Sequence, residues 1–141
     1  MTLDQITAPA ATTTATGITR KARRAGTALA GIVVAFLTVD AIAHLLNGET
    51  SRNGFAELGV PAHLGPISGI AMLAFLALLA FRPTSVIGAI LVTGYLSSVV
   101  SVHLINENPL ASHVLFPVYL AVILWTGLYL RDERVRAIVG R

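Results

Sequence analysis

The fold is decided by an apolar stretch at residues 25–46, which reads AGTALAGIVVAFLTVDAIAHLL. This stretch contains one carboxylate and one histidine, and its other residues are apolar, small or hydroxyl-bearing. A helix of this length rises about 33 Å, which matches the roughly 30 Å hydrocarbon core of a bilayer. The stretch is therefore predicted to be a membrane-spanning helix. Because it is longer than the apolar region of a usual signal peptide, we expect it to remain uncleaved.

Three further apolar stretches follow, at residues 64–81, 86–105 and 114–130. The composition agrees with several spans, because 55% of the residues are hydrophobic and only 12% are charged. In lipid each span must satisfy its own backbone hydrogen bonds, and four short strands could not close a barrel. The sequence therefore predicts an all-α fold, a four-transmembrane-helix bundle.

Basic side chains lie on one side of this predicted bundle. They precede the first span, occupy the turn between the second and third, and follow the fourth: Arg20, Lys21, Arg23, Arg24, Arg82, Arg131, Arg134, Arg136 and Arg141. Only Arg52 lies in the other loops. The positive-inside rule then places both termini in the cytoplasm of a multi-pass protein of the inner (cytoplasmic) membrane. Residues 1–24 are predicted to be a disordered basic cytoplasmic tail, 25–130 the membrane domain and 131–141 a second basic cytoplasmic tail.

Several classes of chemistry are excluded by composition. The chain has no cysteine, so it forms no disulfide and no thiolate metal site, and it carries out no thiol redox chemistry by itself. The basic residues flank the spans, where they serve orientation and headgroup contact. Nucleic acid is therefore not an expected partner, whereas the lipid bilayer is.

The polar residues of the spans converge on the other side of the membrane. His44, His63, His103 and His113 each lie at the outward end of one predicted span, and Asp40 lies one helical turn below His44. A carboxylate at the centre of a bilayer costs about 2.5 to 3.5 kcal/mol, so Asp40 is expected to face the bundle and to have a partner. Asp40, His44 and His103 are the candidate catalytic residues of an outward-facing pocket.

Further candidates lie near this cluster. Tyr95 lies two helical turns below His103, and Glu107 and His113 lie in and after the next loop, so these three are candidate ligand-binding residues. The alternative for Asp40 and His44 is a structural hydrogen bond between helices. The histidines lack the close spacing of a zinc or copper site, so neither a metal nor a cofactor is predicted.

Small residues indicate where helices approach closely. Gly65 and Gly69 form a GxxxG pair, and Gly94 with Ser98 forms a second small-residue pair. We expect ordinary helix packing there, and a homo-oligomer built through the GxxxG face is left open. Trp125 is expected, like the nearby Tyr129, to lie in an interfacial aromatic belt.

An ordered series of short motifs runs through the chain after the predicted tail. It comprises FLTVD at residues 36–40 with His44, FAELGVP at residues 55–61, GAILVTGYL at residues 88–96, His103, Pro109 and LYLRD at residues 128–132. As a set, these motifs resemble the DoxX-like family of small four-helix membrane proteins. The resemblance implies a four-helix bundle and an association with membrane redox systems linked to quinone-coupled sulfur oxidation. The family pattern has a lysine where His44 stands here, so an Asp–Lys pair is replaced by Asp–His.

Two functions compete at this point. In the first, the outward pocket binds a small lipophilic molecule, such as a quinone, and assists redox chemistry performed by a partner protein. In the second, the chain is a stand-alone membrane enzyme of the isomerase, cyclase or epoxide-opening type, with Asp40 and His44 as acid and base. Transport is least expected, because no line of ionisable residues crosses the predicted bundle.

Overall fold

The computed structural model describes residues 17–140, and every regular element in that part of the chain is helical. The all-helical prediction is confirmed for these residues, whereas the predicted tail at residues 1–16 and Arg141 lie outside them. The elements are α1 (Arg20–Leu46), α2 (Glu49–Glu57), α3 (Leu64–Ala80), a 3₁₀ turn (Arg82–Thr84), α4 (Ser85–Ile105), a π turn (Leu110–Val114), α5 (Phe116–Arg131) and α6 (Glu133–Val139).

Three segments are long and apolar enough to cross a membrane: Arg20–Leu46, Arg82–Ile105 and Leu110–Arg131. The fourth apolar helix, α3, has 17 residues and is shorter. Many large apolar side chains on these helices are exposed, as expected of surfaces that face lipid. The chain is therefore a membrane protein with several apolar helices.

Helix α1 begins earlier than the predicted span. Thr19 caps it, because its side-chain oxygen accepts a hydrogen bond of 3.2 Å from the backbone N–H of Ala22. Residues 20–24, which the sequence analysis assigned to the tail, are therefore helical. Two short helices, α2 and α6, also form in segments where the sequence analysis predicted a loop and a tail.

The four long helices form a ring in which α1 packs against α3 and α5, and α4 packs against the same two neighbours. Buried apolar side chains from all four fill the centre, among them Leu37, Met72, Val92 and Leu124. One end of the bundle carries the four histidines, and we call it the histidine end. The opposite end carries Arg23, Arg82 and Arg131, and we call it the arginine end.

Glycines bring α1 into close contact with two neighbouring helices. At the arginine end, a Cβ on Gly26 would lie 2.5 Å from the carbonyl oxygen of Gly127 on α5. At the histidine end, a Cβ on Gly69 of α3 would lie 2.5 Å from the carbonyl oxygen of Ala41. Helix α1 therefore meets α5 backbone to backbone at one end and α3 at the other.

The predicted small-residue pairs have different roles in the structure. Gly65 and Gly69 are both buried, and Gly69 is in close backbone contact with α1 of the same chain, so the GxxxG face serves packing within the bundle. Nothing lies within 4 Å of a Cβ built on Gly94, so the pair formed with Ser98 is not a helix contact among the described residues.

Trp125 connects α5 to α4. Its indole N–H donates a 2.9 Å hydrogen bond to the hydroxyl oxygen of Thr93, and that hydroxyl donates to the carbonyl oxygen of Ala89. A half-buried indole N–H needs a partner, and Thr93 supplies one, while the place of Trp125 in an interfacial belt stays a prediction. Tyr129 stays exposed, beneath the guanidinium of Arg136.

Asp132 ties the end of the chain to the arginine end. Its carboxylate caps α6 by accepting from the backbone N–H of Arg134, and the Arg134 guanidinium contacts both carboxylate oxygens. The same guanidinium donates to the carbonyl oxygen of Arg82 in the 3₁₀ turn. Burial alone would raise the pKa of Asp132, but the hydrogen bonds from Arg134 and the charges of Arg134 and Arg82 hold it below its ordinary value.

The packing of Gly69 leads to a first prediction. Gly69→Ala should lower the free energy of unfolding by about 1–3 kcal/mol, because the new methyl group would overlap the backbone of α1. Gly94→Ala, the matched control, should be neutral or should stabilise the helix by up to about 1 kcal/mol. Unfolding of the purified variants in detergent, followed by circular dichroism, measures both. Equal stabilities of the two variants would contradict the packing described here.

Candidate functional site

A partly open cavity of about 460 Å³ lies at the histidine end. Its walls come from α1 to α5, from the segment after α2, and from the π turn before α5. Most of its lining is apolar, with Leu37, Leu96 and Leu120 among the contributing side chains. A cavity of this size and character is typical of sites for small organic ligands.

Five of the six predicted site residues line this cavity, namely Asp40, His44, Tyr95, His103 and His113. Glu107 does not line it. Its backbone has a φ of 52°, in the left-handed region, and its side chain is exposed in the turn that ends α4. The left-handed turn sends the next residue, Asn108, back toward His103. His63 precedes the first turn of α3 and is also outside the cavity wall.

Asp40 and His44 form a loose pair on one face of α1. Atom Nδ1 of His44 lies 3.4 Å from Oδ2 of Asp40, which is too long and too poorly aligned for a good hydrogen bond. Nδ1 is buried and has no hydrogen-bond partner among the described residues. A water or a ligand oxygen could satisfy it, so the pair keeps hydrogen-bonding capacity for an occupant of the cavity.

A second cavity, of about 510 Å³, lies on the other side of this pair, between the end of α1 and helix α2. Asp40, His44 and Phe55 line both cavities. The Phe55 ring packs edge-on against the His44 imidazole, with ring centroids 5.1 Å apart. Helix α2 therefore covers the Asp40–His44 pair and fixes the orientation of the imidazole through Phe55.

His103 and His113 form a second polar group, with ring centroids 5.7 Å apart. The side-chain amide of Asn108 lies 2.9 Å from Nδ1 of His103, and the hydroxyl of Ser112 lies 2.8 Å from Nδ1 of His113. An amide NH₂ group can only donate, so Nδ1 of His103 accepts and the neutral ring carries its proton on Nε2. His103 is therefore a hydrogen-bond donor through Nε2.

Tyr95 lies deeper in the cavity, two helical turns from His103, which is about 12 Å along the axis of α4. Ser68 of α3, whose hydroxyl donates to the carbonyl oxygen of Gly65, and Asp40 of α1 also line the cavity. The polar side chains of the lining thus include Asp40, Ser68 and Tyr95 as well as the pair of His103 and His113. Between Tyr95 and His103, α4 lines the cavity with three apolar side chains and with Ser98.

An aromatic pair closes the cavity between α1 and α5. The rings of Phe36 and Phe116 meet edge to face with centroids 5.5 Å apart, and both residues line the cavity while being nearly half exposed.

The titratable side chains of the cavity are of three chemical kinds. Within residues 17–140, no set of three or more His, Cys, Asp or Glu side chains has the arrangement of a metal site. The cavity is lined by three imidazoles, one carboxylate and one phenol, which are groups that can exchange protons with oxygen atoms.

The sequence pattern of the DoxX-like family matches residues 28–127, more than two thirds of the chain. The chain belongs to the DoxX-like family. This confirms the resemblance inferred from the sequence motifs. Neither the curated proteins nor the solved structures yield a significant match.

Three side chains of this DoxX-like site were missed by sequence reasoning: Ser68, Asn108 and Ser112. Each lies among residues of ordinary helix or loop composition, so no periodicity distinguishes it. The only signal was spacing, because Asn108 follows His103 by five residues across a helix end, where a chain reversal brings such a pair together. Whether these side chains reach the site depends on how the chain reverses after α4 and how each helix is rotated about its axis. Composition determines neither.

The Asn108–His103 contact leads to a second prediction for the DoxX-like site. In wild type, nitrogen NMR on isotope-labelled histidine should find neutral His103 protonated on Nε2. Asn108→Asp should move the proton to Nδ1, because a carboxylate can only accept a hydrogen bond. Asn53→Asp, the same change at an exposed position of α2, should leave the tautomer unchanged. A proton that stays on Nε2 in Asn108→Asp would contradict the assignment.

Proposed function

We propose that this DoxX-like protein binds a small lipophilic molecule with hydrogen-bonding oxygens, of the quinone type, in the cavity at the histidine end. In this proposal it assists redox chemistry performed by a partner protein, to which it supplies binding and proton exchange. The observation that carries the proposal is the mainly apolar cavity of about 460 Å³ that Asp40, His44, Tyr95, His103 and His113 all line.

The shape of the cavity favours a flat or elongated ligand with oxygens at both ends. Tyr95 and His103 are about 12 Å apart along α4, and three of the four side chains that line the cavity between them are apolar, the fourth being Ser98. One ligand oxygen would accept from Nε2 of His103, and another would meet the group formed by Asp40 and Tyr95. Protons that accompany reduction or oxidation of such oxygens would be exchanged with these side chains.

A second candidate is a stand-alone membrane enzyme that acts on a lipophilic substrate by acid–base catalysis. The contact between Asp40 and His44 favours it, because a carboxylate beside an imidazole is a common acid–base pair. The two candidates differ in what Asp40→Asn does. If the protein is a binding protein, Asp40→Asn should lose the ligand. If it is an enzyme, Asp40→Asn should retain the substrate that the wild type converts to product.

We further propose that all four apolar helices span the inner (cytoplasmic) membrane, with both termini and the 3₁₀ turn in the cytoplasm. The division into a tail at residues 1–24, a membrane domain at 25–130 and a tail at 131–141 belongs to this proposal. Support comes from the basic side chains at one end of the bundle. Helix α3 rises only about 25 Å, so spanning needs its flanking residues or local thinning of the bilayer.

The absence of cysteine allows a direct test of this topology, which is the third prediction. Single cysteines replacing Lys21, Pro83 and Glu133 should react with a membrane-impermeant maleimide only after the cells are permeabilised. A cysteine replacing Glu57 should react in intact cells. All four positions are exposed in the structure. Labelling of positions 57 and 83 from the same side would show that α3 does not cross the membrane.

The fourth prediction concerns the ligand. Mass spectrometry of the protein extracted in mild detergent should detect a lipophilic, oxygen-bearing molecule bound to wild type. Asp40→Asn and His44→Ala should each lower its retention by about tenfold or more, the effect of losing a hydrogen bond to a charged group. Val99→Phe should do the same by filling the cavity without changing its polar groups.

The matched control is Glu57→Gln, which neutralises an exposed carboxylate on α2 outside both cavities. It should retain the ligand as wild type does. If the bound molecule is recovered equally from every variant, Asp40 and His44 have a structural role. The same conclusion follows if no molecule is recovered and the stability of the variants is unchanged. A chemically different molecule in Asp40→Asn would favour the enzyme.

A further inference from the structure

A separate cavity of about 230 Å³ lies at the arginine end, remote from the site described above. Its charged lining comes from three parts of the chain: Arg23 on α1, Arg82 in the 3₁₀ turn, and Arg131 with Asp132 at the end of α5. Its volume exceeds the roughly 30 Å³ share of one water molecule several-fold, enough for a small hydrated anion.

The one carboxylate in this cavity is already occupied. Asp132 accepts from the backbone N–H and the guanidinium of Arg134. Among the described residues, Asp132–Arg134 is the only ion pair between an arginine and a carboxylate within 4.0 Å. Four arginines therefore surround one aspartate, and three of them (Arg23, Arg82 and Arg131) face the cavity without a carboxylate at contact distance.

The hydrogen-bonding groups in the cavity wall select for an acceptor. The hydroxyl of Thr27 donates to the carbonyl oxygen of Arg23, and the hydroxyl of Ser85 donates to that of Arg82, so both protons are committed. The donors left for an occupant are guanidinium N–H groups, which cannot accept. An occupant with negative charge and several acceptor oxygens would pair with these donors.

From this arrangement we propose that the cavity is a binding site for a phosphate group, either that of an anionic lipid headgroup or free phosphate. Guanidinium groups recognise phosphate through paired N–H donors, and three of them from separate elements suit a tetrahedral anion better than a planar carboxylate. The arginines also lie just beyond the apolar parts of α1, α4 and α5, at the depth where headgroup phosphates occur. A bound phosphate would join these elements.

The test uses the full chain in nonionic detergent, with dihexanoyl phosphatidylglycerol, dihexanoyl phosphatidylcholine and inorganic phosphate as probes. The shift of the thermal unfolding midpoint with probe concentration gives the apparent affinity. Saturable stabilisation by phosphatidylglycerol at lower concentration than by phosphate would assign the site to a lipid headgroup. Equal or stronger stabilisation by inorganic phosphate would assign it to the free anion. Phosphatidylcholine, whose headgroup has no net charge, should bind more weakly than phosphatidylglycerol.

The decisive comparison removes the same charge from two places. The triple variant Arg23→Gln, Arg82→Gln, Arg131→Gln should weaken binding of the better probe by at least about tenfold, because charge-assisted hydrogen bonds are lost. The triple variant Arg20→Gln, Lys21→Gln, Arg24→Gln removes three positive charges from the same end, outside the cavity, and should bind nearly as wild type does. Equal losses in the two variants, or no stabilisation by either anion, would overturn the proposal.

A third variant tests the proposal if the first triple variant does not fold. Replacing the same three arginines by lysine keeps the charge but removes the planar fork of donors, so binding should weaken severalfold while the protein stays folded. Wild-type affinity in this lysine variant would overturn the proposal.

Discussion

The structure depends on the backbone contact between α1 and its two neighbours. In a bilayer, apolar side chains gain little by leaving lipid for protein, so close van der Waals packing through small residues holds helices together. Here Gly26 and Gly127 bring α1 onto α5 at the arginine end, and Gly69 brings α3 onto α1 at the histidine end. Helix α1 is therefore held by backbone contacts to α5 at one end and to α3 at the other, and the cavity lies at the histidine end of this bundle.

The side chains around the cavity come from several elements. Phe36 and Phe116 pack against each other between α1 and α5, and Phe55 of α2 packs against His44. His103 is contacted by Asn108, which lies outside the cavity lining, and His113 by Ser112, which belongs to the lining. A site with supported polar groups and apolar walls is suited to bind an amphipathic ligand in one orientation.

The two ends of the molecule have different electrostatic characters. At the histidine end, neutral or titratable groups with spare hydrogen-bonding capacity face an apolar cavity. At the arginine end, fixed positive charges exceed the single buried carboxylate, and Arg134 uses its donors to join α6 to the turn between α3 and α4. The proposed proton exchange with a ligand rests on the first arrangement, and the proposed phosphate binding rests on the second.

The sequence by itself determined that this chain is helical, that its apolar segments suit a membrane, and that four histidines lie at one end. Those properties follow from local composition and from the solvent, because backbone groups in lipid must bond within their own helix. It also predicted Asp40, His44, Tyr95, His103 and His113 as site residues, since helical spacing places them near one end. Only the tertiary structure decided that these five share one cavity, that Glu107 points elsewhere, and that Trp125 bonds to Thr93. The reason is physical: the rotation of each helix about its axis, and the path of each short connection, depend on packing between distant residues.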